Sequence, residues 1–169
     1  MKKILLLIFV LSLSFVTSCG YKFAGGGFLP GKTKFVTVKV FENKTSENGA
    51  EIIFAHALSM ELMAKSDSKV VDIKTADAYF SGVVKSISIS TLTKTSDDAA
   101  IERRVSAIID LRMIGKNGDL LWFVKDFQGR EDFKVTTKNT TDMALRTLAI
   151  TKIAERIAQK VVGIILEDF

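Results

Sequence analysis

The chain has 169 residues, 47% hydrophobic and 25% charged, a balance that suits one folded domain and excludes a disordered polymer. Its 24 basic and 19 acidic residues leave a formal charge of +5, part of which comes from Lys2 and Lys3 in a leader. So slight an excess, scattered among acids and hydroxyls, excludes the dense basic stripe of a nucleic-acid surface.

Lys2 and Lys3 open a signal-peptide pattern in which residues 4–16 are apolar except Ser12 and Ser14. The run falls short of the roughly 20 apolar residues of a membrane-spanning helix. It ends in Val16-Thr17-Ser18-Cys19, which resembles the bacterial lipobox, where small residues fit the lipoprotein signal peptidase and the thiol takes diacylglycerol. Cys19 is the only cysteine, so no internal disulfide or thiolate metal cluster is possible, and lipidation accounts for an unpaired thiol in an exported chain. Two or three acyl chains, at about 0.8 kcal/mol per buried methylene, hold such a protein on a bilayer almost permanently. Gly20 stands where an Asp would resemble an inner-membrane retention signal, which favours the outer membrane. The expected division is a cleaved leader over 1–18, a lipidated glycine-rich tether over 19–34 and one domain over 35–169.

From Phe35 the residues are β-branched and aromatic, and Val36, Val38 and Val40 alternate, predicting a strand over 35–41. A polar loop follows. Its Asn48, with Glu51 in the capping-box position, predicts the start of a helix over about 49–65 with Phe54, Ala55, Leu58 and Leu62 on its apolar stripe. Residues 70–73 read as a short strand. Residues 78–94 read as a long strand with Val83, Ile87 and Ile89 on one side and Ser86, Ser88 and Ser90 on the other.

The clearest strand signal is 101–113, where Val105, Ala107, Ile109, Leu111 and Met113 alternate with Glu102, Arg104, Ser106, Asp110 and Arg112. Lys116-Asn117-Gly118-Asp119 supplies a hairpin turn into a strand over 120–127. Thr141-Asp142 caps a closing helix whose stripe is Ile150, Ile153, Ala154, Ile157, Ala158, Val161 and Ile164. The expected fold class is α+β: a mostly antiparallel β-sheet of about four strands with two α-helices packed on one face and a largely polar second face.

No catalytic constellation emerges. His56, the sole histidine, sits mid-helix without a cysteine or acid pair to complete a site. Asp97-Asp98 and Glu131-Asp132 read as solvent-facing turn residues, and Gly25-Gly26-Gly27 lacks the Gly-Lys-Ser/Thr of a phosphate loop. Neither metal nor cofactor is expected, and the chain reads as a non-enzyme.

Cys19-Gly20-Tyr21-Lys22-Phe23, Leu29-Pro30, Val38-Lys39-Val40-Phe41-Glu42-Asn43-Lys44-Thr45, and Ala76-Asp77-Ala78 leading to Gly82 together resemble the LPS-assembly lipoprotein family, LptE. The resemblance spans essentially the whole mature chain. It implies a lipoprotein that inserts as a plug into the LptD β-barrel, helps that barrel assemble, and binds lipopolysaccharide without making or breaking a bond. It also suggests Lys138, before the last helix, and Lys94, at the turn between the long strands, as lipopolysaccharide contacts, with Arg103 and Arg104 as further candidates. The alternatives are an auxiliary lipoprotein of another envelope transport complex and a structural envelope lipoprotein.

Overall fold

A computed structural model describes residues 26–94, 101–135 and 139–167. In chain order they form β1 (Phe35–Val38), β2 (Glu42–Asn43), α1 (Ala50–Lys65), β3 (Lys69–Val70), β4 (Ala78–Lys94), β5 (Ile101–Gly115), β6 (Leu120–Val135) and α2 (Asn139–Glu167). The fold is α+β, with the six strands in one sheet of order β3-β1-β4-β5-β6 and β2 also paired to β4. Four strands are substantial, as the periodicity implies, and β2 and β3 add two residues each.

The long strands β4, β5 and β6 form the antiparallel part. The short N-terminal strands join it in parallel, because α1 crosses back between β1 and β3 and returns the chain to the same end of the sheet. The strand expected over 35–41 stops at Val38. The chain then turns so that Val40 is 65% exposed while Phe41 is buried.

One face of the sheet is closed by both helices. Val105, Ala107, Ile109, Leu111 and Met113 of β5 are all buried beneath them, as the alternation implies. From α2, Ile153, Ala154, Ile157, Ala158, Val161, Val162 and Ile165 pack on this layer, and each fully buried Ile or Val contributes about 1.5–3 kcal/mol. Ile164, expected on that stripe, is exposed, because Ile165 points inward at the last turn. Gly129 lets α2 approach β6 closely: a Cβ there would lie 2.8 Å from Ile153 Cγ2 and Ile157 Cδ1.

Bulges decide which residues of β4 and β6 look inward. The β4 register jumps from Val84↔Ile109 to Ser86↔Ile108, leaving Lys85 unpaired. Phe80 and Val84 therefore face the core below the bulge and Ile87 and Ile89 above it. Val83, expected beside Ile87 and Ile89, is on the other face. β6 runs on past Phe127 to Val135, since β5 offers it partners as far as Ile101.

The start of α1 also differs from expectation. Gly49, in the left-handed region at φ 85°, is its N-cap, and no side chain caps the first turn. Glu51 instead accepts a hydrogen bond from Asn43 Nδ2 at 2.7 Å, while Asn43 Oδ1 accepts from the Thr45 backbone and hydroxyl. Asn43 thus latches β2 to the helix.

The boundary drawn at residue 34 falls inside packed structure. Leu29 is 1% exposed; its N–H donates to Ser68 Oγ at 3.3 Å, and the Ser68 hydroxyl donates to Thr33 O at 2.7 Å. Two residues earlier, Gly27 O accepts from Asp67 N–H at 3.0 Å.

Candidate functional site on the open sheet face

The face of β4–β5–β6 away from the helices is the surface left for recognition. Its rows follow from the register: Ser90, Arg104 and Asp132 lie side by side, then Ser88, Ser106 and Arg130, then Ser86, Ile108 and Gln128. Short hydroxyls on β4 beside long charged side chains on β6 make a polar, hydrogen-bonding surface rather than a greasy one.

The charges are paired along the rows. Arg104 grips Asp132 with both ends of its fork, Nε at 2.7 Å from Oδ1 and Nη2 at 2.8 Å from Oδ2. This hydrogen bond raises the Arg104 guanidinium above its ordinary value and holds the Asp132 carboxyl below the usual carboxylate range. Midway along the strands, the bulges of β4 and β6 meet. Lys85 Nζ lies 2.6 Å from Asp126 Oδ1 and 3.6 Å from Asp110 Oδ2, and Asp126 N–H donates to Asp110 Oδ1 at 2.8 Å. Asp126 has φ 52°, a left-handed conformation that Asp tolerates better than most side chains. The hydrogen bond to Asp126 raises the Lys85 ammonium above the ordinary lysine value.

Toward the hairpin turn the face becomes apolar. A groove of about 480 Å³ is lined by Val83, Asp110, Arg112, Ile114, Leu120 and Phe123, with Leu120 and Phe123 each 56% exposed. Gly118, at φ 90°, shapes the turn below it, donating its N–H to Gly115 O while Gly115 N–H donates to Asp119 O.

Cys19 and Lys138 lie outside the described residues, as do Asp97 and Asp98. Lys94, Arg103 and Arg104 share the far end of the long strands, but not one face. Lys94 pairs with Ile101; Arg103, opposite Phe133, lies on the helix side; Arg104 lies on the open side and is engaged by Asp132. Glu131 and Asp132 do not form an acid pair either. Glu131 is 8% exposed on the helix side, with Arg156 Nη1 at 2.6 Å, and Asp132 points the opposite way. His56 is exposed on α1. Among the described residues no group of acids, histidines or cysteines could hold a metal ion, and no helix is long and apolar enough to cross a membrane.

Single-sequence reasoning missed Gln128 and Arg130 because the open face of β6 lies in a stretch too polar to read as a strand. Conversely, several residues that carry the family resemblance prove to be structural. Phe41 packs against Gly82, Asn43 makes the latch, and Asp77 accepts from Phe35 N–H at 3.1 Å.

Comparison with known proteins places this architecture. No curated protein sequence matches the chain. A crystal structure from Xanthomonas campestris is similar at TM-score 0.51 and 9% identity, covering 85% of this chain and 92% of that one, a likeness of fold alone. Lipoprotein B from Nitrosomonas europaea (TM-score 0.46, 14% identity, 84% and 90% covered) and lipoprotein GNA1162 from Neisseria meningitidis (0.41, 12%, 71% and 97%) are more distant. The family model LptE, described as lipopolysaccharide-assembly, matches residues 33–162, from the end of the N-terminal arm through nearly all of α2. The chain belongs to the LptE family of lipopolysaccharide-assembly proteins.

Proposed function

We propose that the protein is an outer-membrane lipoprotein of lipopolysaccharide transport, anchored through acyl chains on Cys19. In this reading it plugs an LptD-type β-barrel, supports assembly of that barrel, and binds lipopolysaccharide, making and breaking no bond. The observation that carries it is the family match over residues 33–162, which takes in every strand and the core of both helices.

The open face supports the plug. Barrel lumens are lined by polar side chains, and a plug needs a stiff body with a polar outer surface whose charges are already balanced. Ser88, Ser106 and the Arg104–Asp132 pair supply such a surface, with the cation of Arg130 beside them. Lys138, Lys94 and Arg103 remain the proposed phosphate contacts. Arg104 must release Asp132 before it can join them.

Photocrosslinking in membranes tests this. A photoreactive residue at Ser106 should capture a large outer-membrane barrel, while one at Glu155, exposed on α2, should not. Recovery of an ATPase or its permease from Ser106 would instead assign the chain to another envelope transport complex. In a second assay, lipopolysaccharide binding by the mature chain should weaken as salt rises, because phosphate contacts are screened. Binding indifferent to salt would remove the phosphate contacts from the reading.

A further inference from the structure

β6 is the last strand of the sheet, and among the described residues no strand lies on its outer side. Arg156 Nη1 reaches Arg130 O at 3.5 Å, so that carbonyl points away from β5, and in an antiparallel ladder the N–H of the same residue points out with it. By the same alternation Gln128 and Asp132 turn their backbone groups outward, and all three residues are exposed.

Cations stand on both sides of this open backbone. On the helix side α2 runs antiparallel to β6: Lys152 Nζ lies 3.9 Å from Glu131 Oε1, Arg156 Nη1 lies 2.6 Å from Glu131 Oε2, and Lys160 shares a cleft of about 290 Å³ with Gln128 and Gly129. Glu131 engages one end of Arg156, whose side chain stays 59% exposed. On the open side Arg130 and Lys134 project from β6 itself. Among the described residues Arg130, Lys134 and Lys160 pair with no acid.

Charges along an edge ordinarily repel a neutral or like strand, and so keep unpaired backbone from templating further pairing. For a strand that carries acids the same charges attract. Arg156 and Lys160 are about 6 Å apart along the axis of α2, and residues on one face of a strand recur about every 6.6 Å.

We propose that the outer edge of β6 at residues 128–132 receives an extended acidic segment of another protein, added to the sheet as a further strand. The residue opposite Arg130 pairs with its backbone and points to the open side. Its two neighbours, opposite Gly129 and Glu131, point beneath α2, where acids would meet Lys160 and Arg156. Main-chain pairing supplies the affinity and the flanking cations select the strand. A lone phosphate would satisfy the cations but leave the edge unpaired. The inference is independent of the barrel reading, and either can fail without the other.

The test uses the mature chain with Cys19→Ser, isotope-labelled for NMR, and a blocked nine-residue peptide of alternating Glu and Thr. Titration should move the Arg130 amide signal and slow its hydrogen exchange, leaving the Val105 amide of the middle strand unmoved. With Glu beneath α2, the Thr amides are the ones that face β6. Methylating the Thr amide nitrogens should weaken binding by about tenfold or more, whereas methylating the Glu amide nitrogens should leave it nearly unchanged. This comparison needs no protein variant. Lys160→Glu, on the exposed side of α2, should weaken the parent peptide by about tenfold. An Arg130 amide unmoved at millimolar peptide, equal binding by the two methylated peptides, or full displacement by millimolar inorganic phosphate with the same Arg130 shift would each overturn the proposal.

Discussion

Gly82→Ala probes the packing that joins β4 to the chain between β1 and β2. An alanine Cβ would lie 2.5 Å from Phe41 Cδ2, 2.6 Å from Cε2 and 2.7 Å from Cγ. Carbon atoms rest at about 3.5–4.0 Å, so the ring must retreat by roughly 1 Å. It has little room to do so: Phe41 is 4% exposed, and the void beside it, lined by Phe54, Leu58, Ile109 and Leu111, holds about 10 Å³. Overpacking of this kind costs about 1–3 kcal/mol. Replacing glycine at a backbone geometry that alanine accepts returns about 0.4–1 kcal/mol through the unfolded chain. The expected net loss is about 1–2 kcal/mol, or roughly 5 °C in Tm.

Urea unfolding followed by the fluorescence of Trp122, the sole tryptophan, should show a lowered midpoint with an unchanged m-value. Phe41→Leu, which shortens the side chain, should relieve the clash, so that the double variant loses less than the sum of the single losses. A Gly82→Ala protein with the parental midpoint, or strictly additive losses, would refute the contact between ring and glycine.

Ile153→Ala, at a site 0% exposed beneath Gly129, should cost about 2–5 kcal/mol in the same unfolding assay. Arg104→Gln should abolish the depression of the Asp132 pKa, seen as a carboxyl NMR titration moving back up to the usual range. Because that pKa is lowered by folding, the stability it contributes is present above the unfolded carboxylate pKa and is lost as pH falls through the folded one. The stability difference between parent and Arg104→Gln should therefore shrink in acid. Lys85→Met leaves Asp110 and Asp126 facing each other without their cation, so its stability should recover as salt is added. The Lys85 pKa is raised by folding, so its contribution is present below the ordinary lysine pKa and fades as pH climbs through the folded value. The gap between parent and variant should narrow only in strong alkali.

Where burial alone dictates the pattern, the fold was legible. β5 is flanked by a strand on each side and closed by helices on one face, so its inward row is apolar and its outward row mainly polar. Legibility failed where a single extra residue changed the parity. The bulge at Lys85 flips Val83 to the open face, and no local signal marks it, since the residue is displaced by the pairing of β4 with β5 and its ion pair with Asp126 rather than by its own preferences. β6 past Phe127 fails for a related reason: Gln128-Gly129-Arg130-Glu131-Asp132 has poor strand propensity and is held extended by β5. The parallel entry of β1 reflects the α1 crossover, which hydropathy along the strand does not encode. Of the candidate site, Arg103 and Arg104 were legible as cations at one end of the sheet, but not as residues of opposite faces.

The staple formed by Leu29, Thr33 and Ser68 sets the length of the leash. With Cys19 as the proposed attachment point and the body beginning at residue 35, the chain could stray roughly 50 Å from its anchor. Because Gly27 is already bonded to Asp67, only about eight residues of sequence separate Cys19 from packed structure, an upper limit of roughly 27 Å. The volume the domain can explore scales with the cube of that reach and shrinks about sixfold. For a partner fixed in the same membrane, as the proposed barrel would be, the local concentration of the domain would rise in proportion, without any new contact being made.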